Sequence, residues 1–317
     1  MNIEIAVLVL TILVTIVVVI LGYTTFRTQR EWDKFKEEIW KVAERRLENL
    51  EESQREINYL KKHIETDPLL LHPEDRKQLF DFAEGFINGQ DMLPLKFYFV
   101  GRAYEIGYGG NISKEDRLEK SILYYKNALE CEMSKATEQR IRQAMGTSES
   151  GLGKEYSAKG DQSKAMKCYK KAVDAFYDAF KAKPNSQALD SQGNAHIELA
   201  KMASDNQEEK ANQLNKAIRC FDDAIQMKDN LARQWWATYH FDKARALALR
   251  ADKDNREDLD EVVKELERTI NAIDKEPVGF NVPELFQDFE DIKHESEIKK
   301  KLDLLQEVKV KAMPKGG

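Results

Sequence analysis

The feature that most constrains this chain is an uncharged apolar run near its amino end. No charged side chain occurs from Ile5 to Phe26, and fourteen of the seventeen residues 5–21 are Leu, Ile or Val. As a helix, these 22 uncharged positions would extend about 33 Å, which is enough to cross a hydrocarbon core of about 30 Å. The sequence therefore predicts a transmembrane helix over residues 5–22, within an anchor segment 1–26.

The flanks of the run argue against a cleaved signal peptide and predict an orientation. A signal peptide has a basic start and a shorter apolar run, whereas Met-Asn-Ile-Glu carries no Lys or Arg. Basic residues follow the run at Arg27, Arg30 and Lys34, and none precedes it. The positive-inside rule then places the amino terminus outside and the C-terminal domain in the cytoplasm.

Composition indicates an all-α soluble part. Only 15 Gly and 7 Pro occur in 317 residues, while Lys, Glu, Ala and Leu are abundant. A net charge of −6 without a basic block argues against nucleic acid as the main partner. Three cysteines without a Cys-x-x-Cys pair suit a reducing compartment.

The next segment, 27–66, reads as a long amphipathic helix. It contains no Pro or Gly before Pro68, and its apolar residues follow heptad-like spacings with one break in phase. Two interpretations stay open: a coiled coil that forms a homodimer, or a single helix packed back on the rest of the chain. A connecting helix is expected within 67–92.

A repeated cassette of small and aromatic residues follows, in the part of the chain from 93 to 275. In each copy a glycine is followed three residues later by a ring, at Gly101/Tyr104, Gly153/Tyr156 and Gly193/His196. Downstream of each pair comes a small–aromatic–small triplet: Ser121, Tyr125 and Ala128; Ala165, Tyr169 and Ala172; Ala217, Phe221 and Ala224. This pattern predicts helix hairpins in which the glycine of the first helix lets the second approach closely, while the aromatic fills the wedge.

The cassette resembles the tetratricopeptide repeat (TPR), and its first copy resembles the Sel-like variety. The best match is Leu152-Gly153-x2-Tyr156 with Ala165, Tyr169 and Ala172. Ala172, Phe176, Ala179 and Pro184 also match the second half of the repeat, so that helix is expected to run long. The resemblance implies an α-solenoid that binds a peptide or protein partner.

A fourth, degenerate hairpin is expected over 231–250 and 257–274, with Val262, Leu266 and Thr269 in the small–aromatic–small slots. Residues 276–317 are interpreted as capping helices with a frayed tail. In the cap, Ile298, Leu302, Leu305 and Val308 share one helical face. Such a cap would cover the last apolar surface of a solenoid.

The sequence contains no recognisable catalytic or metal-binding motif. The segment Gly146–Lys154 lacks the Gly-Lys-Ser/Thr order of a phosphate loop and is expected to precede a helix without a strand before it. The histidines show no metal-ligand spacing, and His196 is expected in the core. Cys168 and Cys220 precede the second-helix aromatics and are read as packing residues. We therefore predict a protein that is not an enzyme and needs no cofactor.

Two functions remain open from the sequence. The first is a membrane-anchored interaction scaffold, whose partner would meet the donors that follow each first-helix glycine: Arg102, Lys154 and Asn194. The second is a structural, assembly or tethering factor of a membrane complex, which self-associates through the 27–66 helix.

Overall fold

The computed structural model describes residues 94–108, 111–131, 133–203, 205–227, 235–251, 256–275, 287–292 and 295–312. The predicted anchor 1–26, the 27–66 helix and the connecting helix within 67–92 lie outside these residues. None of the described helices combines the length and the apolar character that a membrane crossing demands.

The described part of the chain is built from α-helices and one short 3-10 turn at residues 287–289. The helices are α1 (Pro94–Ile106), α2 (Lys114–Leu129), α3 (Lys135–Ala158), α4 (Gln162–Ala182), α5 (Ser186–Met202), α6 (Gln207–Gln226), α7 (Trp236–Arg250), α8 (Arg256–Lys275) and α9 (Ser296–Ala312). Each helix packs mainly on its neighbours in sequence, which gives four hairpins: α1–α2, α3–α4, α5–α6 and α7–α8. The first helices of successive hairpins also contact one another, so α1, α3, α5 and α7 share one layer.

Short polar side chains set where five of these helices begin. Ser113, Ser134, Asp161, Asn185 and Asn206 each stand at the N-cap and accept a hydrogen bond from a backbone N–H in the first turn. Such caps satisfy donors that have no partner within the helix. They explain how helices of different length begin cleanly after short connections.

The predicted glycine wedges are confirmed in three hairpins. A Cβ placed at Gly101 would lie 2.6 Å from Tyr125 Cε1, and one at Gly193 would lie 2.6 Å from Phe221 Cε1. At Gly153 the distance to Tyr169 Cζ is 3.0 Å. Ordinary carbon–carbon contacts lie at about 3.5–4.0 Å, so a side chain at these positions would push the hairpin apart.

The triplets of the second helices are buried as expected. All nine residues of the three triplets are at most 1% exposed. The first-helix rings Tyr104, Tyr156 and His196 are also buried. The cassette is therefore a packing unit.

The structure corrects the interpretation of residues 146–154. They do not precede a helix but lie inside α3, and a Cβ at Gly146 would lie 2.7 Å from Phe176 Cε1. The second hairpin thus holds two glycine–aromatic contacts in antiparallel order, Gly153 on Tyr169 and Gly146 on Phe176. This extra contact explains why α4 continues beyond Ala172, as the repeat match predicts.

The last hairpin and α9 share one apolar cluster. Val262, Leu266 and Thr269 of α8 are fully buried. Ile298, Leu302 and Leu305 join the same cluster as α7 and α8, together with Phe289 and Ile292. In this way α9 covers apolar surface of the fourth hairpin.

Candidate functional site

The predicted donor Arg102 is paired with a carboxylate inside the first hairpin. Its side chain is 14% exposed, and its Nη1 donates to Glu105 Oε2 at 2.6 Å. The hydroxyl of Tyr125 donates to the same oxygen at 2.7 Å. Burial alone would lower the pKa of Arg102, but the nearby Glu105 carboxylate raises it. The Glu105 carboxylate, which is paired with the charged Arg102 guanidinium, therefore joins α1 to α2.

Asn194 forms hydrogen bonds between the third and the fourth hairpin. Its Nδ2 donates to Asp242 Oδ2 at 2.9 Å, and its Oδ1 accepts from Arg245 Nη1 at 2.9 Å. The same Arg245 donates to Asp242 Oδ1 at 2.6 Å and, through Nε, to Asp288 Oδ2 at 2.9 Å. This network ties α5 to α7 and to the 3-10 turn.

Lys154 is exposed on α3. The three residues that follow the glycines therefore differ in their surroundings. Arg102 and Asn194 serve contacts within the fold, while Lys154 faces solvent. Partner binding by the three residues stays a prediction.

A cleft that sequence analysis did not identify opens between α2, α3 and α4. Its volume is about 220 Å³, and its lining comprises Glu119, Ile122, Leu123, Lys126, Glu149, Leu152 and Lys171. Ile122 and Leu152 are buried, whereas Leu123 is 56% exposed. The cleft thus combines apolar walls with four ionisable side chains.

Glu149 is the buried polar group of this cleft. The residue is only 3% exposed, and its Oε1 lies 3.7 Å from Lys171 Nζ. Its Oε2 is buried without a hydrogen-bond partner. Burial raises the pKa of Glu149, against the lowering effect of Lys171 and Lys126. A buried acceptor left unsatisfied costs about 1–3 kcal/mol, so a donor entering the cleft would relieve that cost.

The rim of the cleft is polar and balanced in charge. Glu119, Lys126 and Lys171 are exposed, and Glu119 Oε1 accepts from the Tyr156 hydroxyl at 3.2 Å. Together with Glu149, the cleft carries two acidic and two basic side chains. One signal in the sequence could have indicated this cleft: the helical spacing of Glu149, Leu152 and Tyr156 places the carboxylate on the buried face of α3.

The cysteines and histidines occupy packing positions. Burial raises the pKa of Cys168 to about 11 and that of Cys220 to about 12, so neither is a ready nucleophile at neutral pH. His196 Nδ1 lies 2.7 Å from Gln213 Oε1, and burial lowers its pKa. His196 is therefore a core residue, as predicted. Among the described residues, no group of three or more His, Cys, Asp or Glu side chains is placed to hold a metal ion.

Two further carboxyl groups, those of Glu265 and Asp190, have pKa values shifted in opposite directions. Burial would raise the pKa of Glu265, but a 2.5 Å hydrogen bond with His240 Nδ1 and contact with Lys243 Nζ at 2.9 Å lower it to about 2. For Asp190, burial and the neighbouring Asp242 carboxylate raise the pKa well above its usual range.

Comparison with known proteins reveals a likeness in structure. No family model matches the chain. No curated protein matches it either. Among solved structures it is similar to YrrB, described as a TPR protein with an unusual peptide-binding site, with 18% sequence identity and a TM-score of 0.38 over 74% of this chain and 93% of that chain. The hairpin arrangement described above rests on this chain's own contacts.

Proposed function

We propose that this protein is a membrane-anchored interaction scaffold. Residues 5–22 hold it in the bilayer as a single pass, with the amino terminus outside. The TPR-like stack of hairpins lies in the cytoplasm and binds a peptide or protein partner. The anchor is supported by the uncharged apolar run and the basic residues that follow it.

One observation carries the scaffold role. The first helices α1, α3, α5 and α7 share a layer, and each of the first three hairpins is closed by a glycine–aromatic wedge. Stacked hairpins of this kind present an extended surface made of one residue set per repeat. Lys154 stands exposed on this layer, where a partner would meet it.

Site-specific photocrosslinking in intact cells tests this role. A benzophenone amino acid replaces Lys154 on α3 in one variant and Lys216 on α6 in a control; both positions are exposed. We expect a discrete crosslinked protein from position 154 and none from position 216. Equal crosslinking at both positions, or none at either, would contradict the proposal.

Fractionation of the same cells tests the anchor. The full-length chain is expected in the membrane pellet after alkaline extraction, with its C-terminal domain shielded from protease added to intact cells. Recovery of the chain in the aqueous fraction would contradict the proposed membrane anchor. Loss of self-association on deletion of residues 27–66, together with no crosslink at position 154, would instead favour the assembly-factor alternative.

A further inference from the structure

We propose that the cleft between α2, α3 and α4 binds a guanidinium group, which is held by the Glu149 carboxylate and supplied by an arginine side chain of the partner polypeptide. The claim that the arginine belongs to a partner polypeptide rests on the proposed function. Recognition of the guanidinium follows from the cleft itself.

Glu149 has an acceptor oxygen without a partner, so the cleft favours a ligand that donates hydrogen bonds. Its Oε2 has no partner, and its Oε1 is 3.7 Å from Lys171 Nζ, which is beyond hydrogen-bond distance. One oxygen of this buried carboxylate therefore has no partner, and the other is held only by a long ion pair with Lys171. A guanidinium presents parallel N–H groups in a planar fork that matches both oxygens at once.

The size and walls of the cleft select a single side chain with an apolar stem. Its volume of about 220 Å³ is below the range of roughly 300–1,000 Å³ typical of small-molecule pockets. Ile122, Leu123 and Leu152 line it beside the carboxylate. The methylene stem of an arginine can pack on such walls while its head reaches the charge.

The lysines of the rim do not exclude a cation. Lys171 is 49% exposed, so its ammonium can turn into solvent when a better donor arrives. Glu119 and Glu149 balance the charge of Lys126 and Lys171, so the cleft as a whole does not repel a cation. An anionic guest would have to lie against the buried carboxylate, which is costly.

Binding of a small probe to the full-length protein in lipid nanodiscs tests the proposal. The probe is Nα-acetyl-arginine methylamide, with the neutral analogue Nα-acetyl-citrulline methylamide and the lysine analogue as comparisons. Binding is followed by NMR of labelled Ile and Leu methyl groups. We expect saturable shifts at Ile122, Leu123 and Leu152 with the arginine probe, and much weaker ones with the other two.

Three variants sharpen the result. Glu149→Gln keeps the shape of the side chain, and we expect it to weaken binding by about ten- to a hundredfold, since a charge-assisted bond is replaced. Glu155→Gln, on the same helix but outside the lining, should leave binding unchanged. Lys171→Gln removes the competing ammonium from an exposed position and should tighten binding. This last variant keeps the test decisive if Glu149→Gln perturbs folding.

Several results would overturn the assignment: no shift at the three methyl groups, equal binding by Glu149→Gln, unchanged or weaker binding by Lys171→Gln, or equal binding of citrulline or lysine. The crosslinking experiment is independent of these. If the probe binds but position 154 captures nothing, only the scaffold role fails. If a partner is captured but the probe does not bind, only the guanidinium site fails.

Discussion

Replacing Gly146 by Ala tests how tightly the second hairpin is packed. The new Cβ would lie 2.7 Å from Phe176 Cε1 and 2.8 Å from Cδ1, about 0.8 Å closer than ordinary carbon contacts. Phe176 is 2% exposed, so its ring has little room to move. Overpacking of this kind costs about 1–3 kcal/mol, and the higher helix propensity of Ala returns about 1 kcal/mol. The difference is a net loss of up to about 2 kcal/mol in the free energy of unfolding.

The same helix supplies a matched control at Gly151. A Cβ there would lie 3.3 Å from Leu118 Cδ1, a methyl group that can rotate aside. Gly151→Ala should therefore gain from helix propensity alone, by about 1 kcal/mol. The measurement is urea unfolding of the full-length chain in detergent micelles, followed by far-ultraviolet circular dichroism.

A double-mutant cycle isolates the ring as the cause. In a Phe176→Leu background, Gly146→Ala should lose most of its penalty, which gives a coupling energy of about 1–2 kcal/mol. If Gly146→Ala stabilises the protein as much as Gly151→Ala does, the wedge reasoning is wrong. A penalty that is unchanged in the Phe176→Leu background would refute it equally.

The shifted pKa values give three further predictions. Because the pKa of folded Glu265 is lowered to about 2, its contribution to stability is present above the unfolded pKa of about 4.3 and is lost as pH falls toward 2. In thermal unfolding, the midpoint temperature of Glu265→Gln should therefore fall less steeply with decreasing pH over this range than that of the unaltered protein. Asp190 has a raised pKa, so its ionisation opposes folding as pH rises above about 3.9. Asp190→Asn should therefore raise the unfolding midpoint at neutral pH and have no such effect in acid, and a lower midpoint at neutral pH would contradict this. Iodoacetamide at neutral pH should label Cys131, which is partly exposed, well before Cys168, since burial raises the pKa of the latter to about 11; mass spectrometry of the digested protein reads the order.

The contacts between paired helices were predictable because helical periodicity fixes which positions meet. Gly193 and Phe221 are far apart in sequence, yet the spacing around each marks them as partners. The same reasoning failed at residues 146–151, where Gly, Ser and Thr suggest a loop. Packing against Phe176 outweighs that weak local preference, and α3 runs through the segment.

The surroundings of charged residues were less predictable, because they depend on groups brought from distant parts of the chain. The partner of Arg102 is Glu105, one helical turn away, so this pair was accessible to sequence reasoning. The partner of Asn194 is Asp242, 48 positions later, and no local pattern reveals it. Likewise, the charged neighbour of Glu149 is Lys171, 22 positions later on α4, and no local pattern reveals this pair.

The unequal roles of the three positions that follow the wedge glycines have an evolutionary consequence. Substitutions at 102 or 194 would break joints that hold neighbouring helices, so selection for stability opposes them. Lys154 is exposed and lies outside these joints, so substitutions there are expected to change stability little. Descendants of this chain can therefore vary at that one place while their architecture stays the same.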